Sequence, residues 1–439
     1  MLDAYAFVHW FRNAAPYINA FRGRTFVLTF GGECVADAEF AYLIHDIALL
    51  NSLGVKLVLV HGARPQIDQT LAQQGVTTRS HHNVRITDSV ALPGVKQAVG
   101  AVRMEIEALL TMGIANSPMA GAQLRVASGN FVTAQPMGVH DGIDHCHTGV
   151  VRRVDGEAIH QLLNQGWIVL LSPMGYSPTG EAFNLLAEDV TVSTCRALKA
   201  DKLIYLSENS EVVDKQGKLI RELAPNEAQH LIQYNASLTD KTKRHLNDAA
   251  TLCQEGIRRV HLIPRHVDGA LLQELFSRDG IGTLITNDRF EGTRQANIED
   301  VGGILELLAP LEQQGTLVRR SRERLEQEIE RFTVVERDGT IIGCAALYPY
   351  PEHGIAELAC VAIRPDYRNS GRGDALTRYI EQQAKQLGMR ELFVLTTHTA
   401  HWFIEQGFAE ADISKLPLKK QGLYNYQRKS KIFNKLLTA

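Results

Sequence analysis

With 439 residues, 45 % apolar and 22 % charged side chains, the chain has the make-up of an ordinary globular protein of two or three domains. A net charge of −3 excludes general attraction to nucleic acid or to an anionic membrane, and no apolar run approaches the roughly 18 residues of a spanning helix. Six scattered cysteines without a C-x-x-C pair, and a start without a small-residue cleavage site, predict reduced thiols and a cytoplasmic location.

Residues 5–22 place apolar side chains at Ala6, Phe7, Trp10, Phe11, Ala14, Ile18 and Phe21, the stripe of an amphipathic helix. Lying ahead of the first strand, it fits docking on a partner subunit and packing on its own domain equally well. From Thr25 to about Thr286, apolar runs such as TFVLTF and VKLVLVHG alternate with helical patterns such as AEFAYLIHDIALLNSLG and RPQIDQTLAQQG. That alternation predicts a mainly parallel sheet covered on both faces, with ligands at the carboxyl ends of its strands. The first strand runs into Gly31-Gly32-Glu33, a turn of the kind that opens a phosphate site, yet the stretch has no lysine. Phosphoryl transfer needs fixed positive charge, so the omission carries information.

Two histidine-bearing stretches, SHHNVRITD with His81 and His82 and DHCHTG with His145, Cys146 and His147, read as polar loops. Adjacent side chains diverge on a strand and zinc sites use wider spacings, so no metal is expected. The polar run NDRFEGTRQANIED breaks the pattern. It sets a first domain at 1–286 with its helix at 1–22, a linker at 287–294 and a second domain at 295–439. The second domain reads as two helices, a hairpin about Asp338-Gly339, a central strand GIAELACVAI, a turn and helix, then strand, helix and strand.

The turn Arg368-Asn369-Ser370-Gly371-Arg372-Gly373 lies between the central strand and a helix whose buried stripe is Leu376, Ile380, Ala384 and Leu387. Backbone N–H groups at a helix start, the helix dipole and two arginines make an anion cradle. With the order of elements around it, this segment resembles the acyl-CoA pyrophosphate turn of the GNAT acetyltransferase superfamily. The resemblance implies acetyl-CoA as co-substrate, held by Arg368, Asn369, Gly371, Arg372 and Gly373. It further implies a central strand splayed from its neighbour, with main-chain groups of Val361 and Ile363 on the pantetheine arm and the Val361 N–H as an oxyanion donor.

The first domain resembles the amino-acid kinases, acetylglutamate kinase in particular, through GGE (31–33), VHGARPQI (60–67), FNLLAEDVT (183–191), ALKADKLIYL (197–206) and ELFSRDGIGT (274–283). The fold class implied is α/β: an amino-acid kinase-like three-layer parallel-sheet domain followed by a GNAT mixed α/β domain. In this order the two halves resemble the bacterial N-acetylglutamate synthases, which acetylate L-glutamate in the first step of arginine biosynthesis. Departures from the kinase pattern answer the missing cation. Thr29 stands where the kinases have lysine, His61-Gly62-Ala63-Arg64 replaces HGGG, and SLTDKTKRHLND (237–248) lacks the Gly-Gly-Met turn and its phosphate lysine. Each lost charge-assisted contact is worth a few kcal/mol, so kinase activity is expected to be absent. The resemblance leaves the domain as a sensor for feedback by L-arginine, bound through Glu274, Ser277, Gly280 and Gly282, with N-terminal helices interlacing a homohexamer.

Acetylating an amine requires removal of its proton, and Glu357, four residues before Val361, is the expected base. Leu358, Ala359 and Cys360 give it apolar surroundings. The tyrosine many GNAT enzymes offer the thiolate is absent from HWFIEQGF, which leaves Thr396 or a water. Arg319, Arg320 and Arg428 are the expected forks for the two carboxylates of glutamate. Two other readings stay open, an acetylglutamate kinase with an appended acetyltransferase and a non-catalytic amino-acid sensor.

Overall fold

The computed structural model describes residues 4–113, 119–208, 212–214, 216–235, 237–287, 291–368, 371–422 and 430–437. Two compact units divide the chain, 1–288 and 289–439.

In the first unit an eight-stranded sheet runs, edge to edge, Glu222–Leu223, Thr283–Thr286, Arg259–Pro264, Lys202–Ser207, Thr25–Phe30, Lys56–His61, Ile168–Leu171 and Val126–Ala127. All neighbours are parallel except Arg259–Pro264 with Thr283–Thr286. Every residue of the first strand is buried, as an apolar run between two helical layers requires. Alternation sends Phe26, Leu28 and Phe30 into the core on one face and Val27 into that on the other. The N-terminal helix spans Ala4–Phe21. Its carboxyl end packs on its own unit, with Phe21 5.3 Å from Phe26 and 5.7 Å from Phe276 between ring centroids. Near its start Phe7, Trp10 and Phe11 stay about half exposed.

In the second unit seven strands are ordered Glu291–Gln295, Phe332–Arg337, Thr340–Tyr350, Ile355–Ile363, Glu391–Thr396, Lys431–Leu436 and Ala409–Ala411. The stretch expected as linker therefore contributes an edge strand, Glu291–Gln295, paired antiparallel with Phe332–Arg337. Asp338 and Gly339 have φ of 47° and 74°, the tight turn that their sequence predicts. Arg319 and Arg320 precede the second helix, because Ser321 caps Arg322–Gln327. No helix of the described residues is long and apolar enough to cross a membrane, and all six cysteines are free thiols.

Among the buried imidazoles of the first unit, three are held far below the ordinary histidine value. Burial holds His61 and His261 down to about 4, and burial with the charges of Lys241 and Arg244 holds His245 down to about 3. The unfolded chain binds these protons near pH 6.5, so stability is full above that value and falls as pH drops toward 4. Denaturant unfolding of the first unit across this window is expected to show that loss. His61→Gln should flatten the slope by about 1.4 kcal/mol per pH unit.

Candidate functional site

The central strand Ile355–Ile363 pairs parallel with Glu391–Thr396 only through Ile355, Ala356 and Glu357. On its other side it stays paired with Thr340–Tyr350 as far as Ile363. From Leu358 onward one edge of its backbone therefore opens into a slot. The register slips where Cys344 and Ala346 face Ala362 and Ala359, and Cys360 has φ 53°. This bulge with a left-handed residue turns the following backbone, and Val361 with it, relative to a regular strand. Val361 and Ile363, expected at the slot, are half-buried along it.

At the far end of the strand, Gly371 caps the helix Arg372–Gln386 with φ 75°, a conformation that favours glycine. A Cβ on Gly373 would come within 3.0 Å of the Trp402 ring, so the second glycine serves close packing. Arg368 is exposed and its Nε donates to the Ile363 carbonyl at 3.1 Å. Asn369 lies outside the described residues. Arg372 departs from expectation. Its guanidinium grips Glu291 with two contacts of 2.7 Å and stacks 5.2 Å from the centre of the Tyr367 ring. Arg337 shares that carboxylate at 3.0 Å. Burial alone would raise the Glu291 carboxyl, but its two arginines hold it below the usual range. Arg372 is thus spent on tying the edge strand to the helix.

Glu357 sits where the slot opens, buried as expected and opposite Tyr348 in the register. It is not unpaired: Lys420 Nζ lies 2.7 Å from its Oε2. Nothing in PLKKQG announces that partner, which arrives from 63 residues further along the chain. Thr396 proves to be a turn former. Its Oγ1 accepts the Thr399 N–H at 3.1 Å and meets the Thr399 hydroxyl at 2.9 Å. Tyr348, which the sequence reading passed over, donates to Glu328 at 2.6 Å. Arg320 is half-buried beside Tyr348 and Cys360, and its buried Nε has no hydrogen-bond partner. Arg319 is exposed, and Arg428 lies outside the described residues.

In the first unit Glu274 is buried with both oxygens engaged. Oε1 meets His261 Nδ1 at 2.7 Å, and Oε2 accepts from Ile281 N at 2.8 Å and Gly282 N at 2.9 Å. Burial works against the charge, but His261 and the two amides hold this carboxyl down to about 2. Gly280 has φ 57°, and a Cβ there would strike Glu274. Ser277 ends the helix Ala270–Phe276 and its Oγ accepts Gly280 N at 3.2 Å. The structure adds Lys202 and His261, with Lys202 Nζ 3.4 Å from His261 Nε2 and 4.8 Å from the centre of the Phe21 ring. A lysine opening the otherwise apolar run KLIYLS was the available signal.

A separate cleft of about 570 Å³ lies at the carboxyl ends of the strands, lined by Thr29, Gly31, Gly32, Gly62, Asn184 and Lys241 among others. Lys241 modifies the sequence reading, since a Cβ on Gly31 would stand 3.6 Å from its Nζ. One cation therefore reaches the Gly-Gly turn from a different element. Arg244, also on the lining, is paired with Asp189 at 2.7 Å.

A slot with a left-handed bulge, closed at one end by a glycine-capped helix, marks the second unit as a GNAT-type N-acetyltransferase. Family models agree: the amino acid kinase family matches residues 24–264 and the acetyltransferase (GNAT) family matches 303–408. The amino-acid acetyltransferase of Azotobacter vinelandii is 55 % identical over 432 residues, covering 98 % of this chain and 99 % of the relative. A crystal structure of N-acetylglutamate synthase from Neisseria gonorrhoeae with coenzyme A and L-arginine matches with TM-score 0.86 at 37 % identity, over 99 % of this chain and 100 % of that one. A structure of the same synthase with coenzyme A and N-acetyl-glutamate matches with TM-score 0.62 at 38 % identity, with the same coverage. The chain belongs to the amino-acid acetyltransferase family.

The two arginines of the turn should separate in kinetics. Arg368→Gln is expected to raise the KM for acetyl-CoA about tenfold with little change in kcat, the pattern of lost uniform binding. Arg372→Gln should leave that KM within about twofold and lower the stability of the second unit by about 2 kcal/mol in urea unfolding. Equal rises in KM would refute the division.

Proposed function

We infer that the second unit transfers acetyl from acetyl-CoA to the α-amine of L-glutamate, opening arginine biosynthesis, while the first unit senses L-arginine. The observation that carries this is a buried carboxylate, Glu357, at the mouth of a strand splay that ends in a helix start. Glu357, oriented by Lys420, takes the ammonium proton directly or through a water. The freed nitrogen attacks the thioester carbon, and the negative charge on oxygen meets the Val361 N–H beside the bulge. Collapse expels the CoA thiolate, whose pKa of roughly 8.5, by analogy with cysteine, calls for little acid assistance. Arg320, with its unsatisfied buried Nε, is the best supported of the glutamate forks. Arg319 and Arg428 join it by family resemblance.

In the first unit, L-arginine would bring its guanidinium to Glu274 and its carboxylate toward Lys202, displacing the contacts these side chains make with His261. The half-exposed Phe7, Trp10 and Phe11 support N-terminal helices that interlace subunits, as in a hexamer. Free thiols accord with a cytoplasmic location. Lys241 at the Gly-Gly turn favours one second reading, residual phosphoryl transfer. Incubation with ATP and N-acetyl-glutamate is expected to yield no phosphorylated product, and its formation would revive that reading.

Glu357→Gln should lower kcat about 100- to 10,000-fold while coenzyme A binding, followed by calorimetry, stays intact. Full thiol release by this variant across a panel of amino acids would remove Glu357 as the base. Glu274→Gln and Lys202→Met should each raise the arginine concentration for half-maximal effect by about tenfold or more, each variant being scored against its own arginine-free rate.

A further inference from the structure

Two hairpin tips of the first unit meet where the sequence showed only loops. One hairpin pairs Ser80–His81 with Val84–Arg85, and its turn residues His82 and Asn83 have φ of 47° and 62°. The other pairs Val139–His140 with Ile143–Asp144 around Asp141 and Gly142, at φ of 50° and 76°. Positive φ at both central residues defines the tight two-residue hairpin turn. Its effect on the first tip is to cancel the divergence expected of neighbouring side chains. The His81 and His82 rings stand together with centroids 4.1 Å apart.

The second tip brings a carboxylate to them. Asp141 Oδ2 lies 3.2 Å from His82 Nε2 and 3.5 Å from His81 Nε2, and one donor atom from each of the three residues lies within 4.8 Å of the others. Donors bound tetrahedrally at zinc distances are held roughly 3.4 Å apart. Beside His81 stands His145, only 2 % exposed, its ring centroid 5.6 Å from that of His81. Neither of its ring nitrogens has a hydrogen-bond partner, a costly state for a buried polar group. His140 differs, since its Nε2 meets the Met137 carbonyl at 3.1 Å. Under the tips the segments are already fastened, His147 N donating to Thr87 O at 2.7 Å and Thr148 Oγ1 to Arg85 O at 2.6 Å.

We propose that His81, His82 and Asp141 hold one divalent transition-metal ion of the zinc class, with His145 as the fourth donor. Imidazole with a carboxylate suits zinc, nickel or copper, whereas magnesium and calcium prefer all-oxygen shells. The ion takes no part in acetyl transfer. It clamps the two hairpins at the rim of the 570 Å³ cleft, whose lining includes His82, Asn83, Val84 and Arg85. Histidine–aspartate pairing alone is a weak account of the cluster, because the His82 and Asp141 side chains are 77 % and 71 % exposed and such pairs contribute little.

The test uses tag-free, full-length protein stripped with a chelator and titrated with zinc chloride in a calorimeter. One equivalent per chain is expected to bind, magnesium chloride should give no binding heat, and cobalt(II) should develop a visible ligand-field band. His82→Ala with Asp141→Asn should lower zinc affinity at least about tenfold and abolish that band, with an unchanged far-ultraviolet spectrum. Absence of stoichiometric zinc binding by the wild-type chain, or unchanged affinity in the double variant, overturns the site.

Discussion

Parallel pairing between the central strand and Glu391–Thr396 stops after Glu357, and the working part of the second unit is arranged around that stop. Main-chain donors and acceptors left without a ladder need partners of another kind. A long, amide-bearing ligand lying along the strand would supply them as an added strand does. The left-handed Cys360 belongs to the same device. A non-glycine residue in that region costs about 1–2 kcal/mol, and the cost is met by packing around a side chain only 4 % exposed. The bulge aims backbone where a regular strand could not.

Which charges remain available is decided by their partners. Arg372 has the right place in the sequence for a phosphate contact, but Glu291 holds it in a fork. Glu357 keeps its burial because Lys420 accompanies it, and Glu274 keeps its charge because two loop amides and His261 face it. Buried carboxylates survive only with such company. The first unit tells the same story from the opposite side. Its cleft persists, while Thr29 contributes no charge and Arg244 is neutralised by Asp189. Lys241 still stands beside its Gly-Gly turn.

Glu274, Gly280 and Gly282 were legible as one neighbourhood because they lie within nine residues of each other, and their contacts are local. Lys202 and His261 complete that neighbourhood from separate strands. They were missed because the parallel register that sets Lys202 against Arg259 and Ile204 against His261 is a property of the sheet. The contacts of Thr396 were hidden for a related reason: they depend on the turn after its strand folding back onto it.

Periodicity and turn chemistry, both short-range, were enough to determine the alternating strand–helix order, the Asp338-Gly339 hairpin and the glycine-capped helix, since local sterics and side-chain spacing act within a few residues. The motifs carried by those elements were enough to indicate the family. Tertiary structure alone decided the edge strand made from the expected linker, the partners of Arg372 and Glu357, and the meeting of His81 and His82 with Asp141. Those outcomes join groups tens of residues apart, and Coulomb and hydrogen-bond energies count only once folding has brought such groups within a few ångströms of each other.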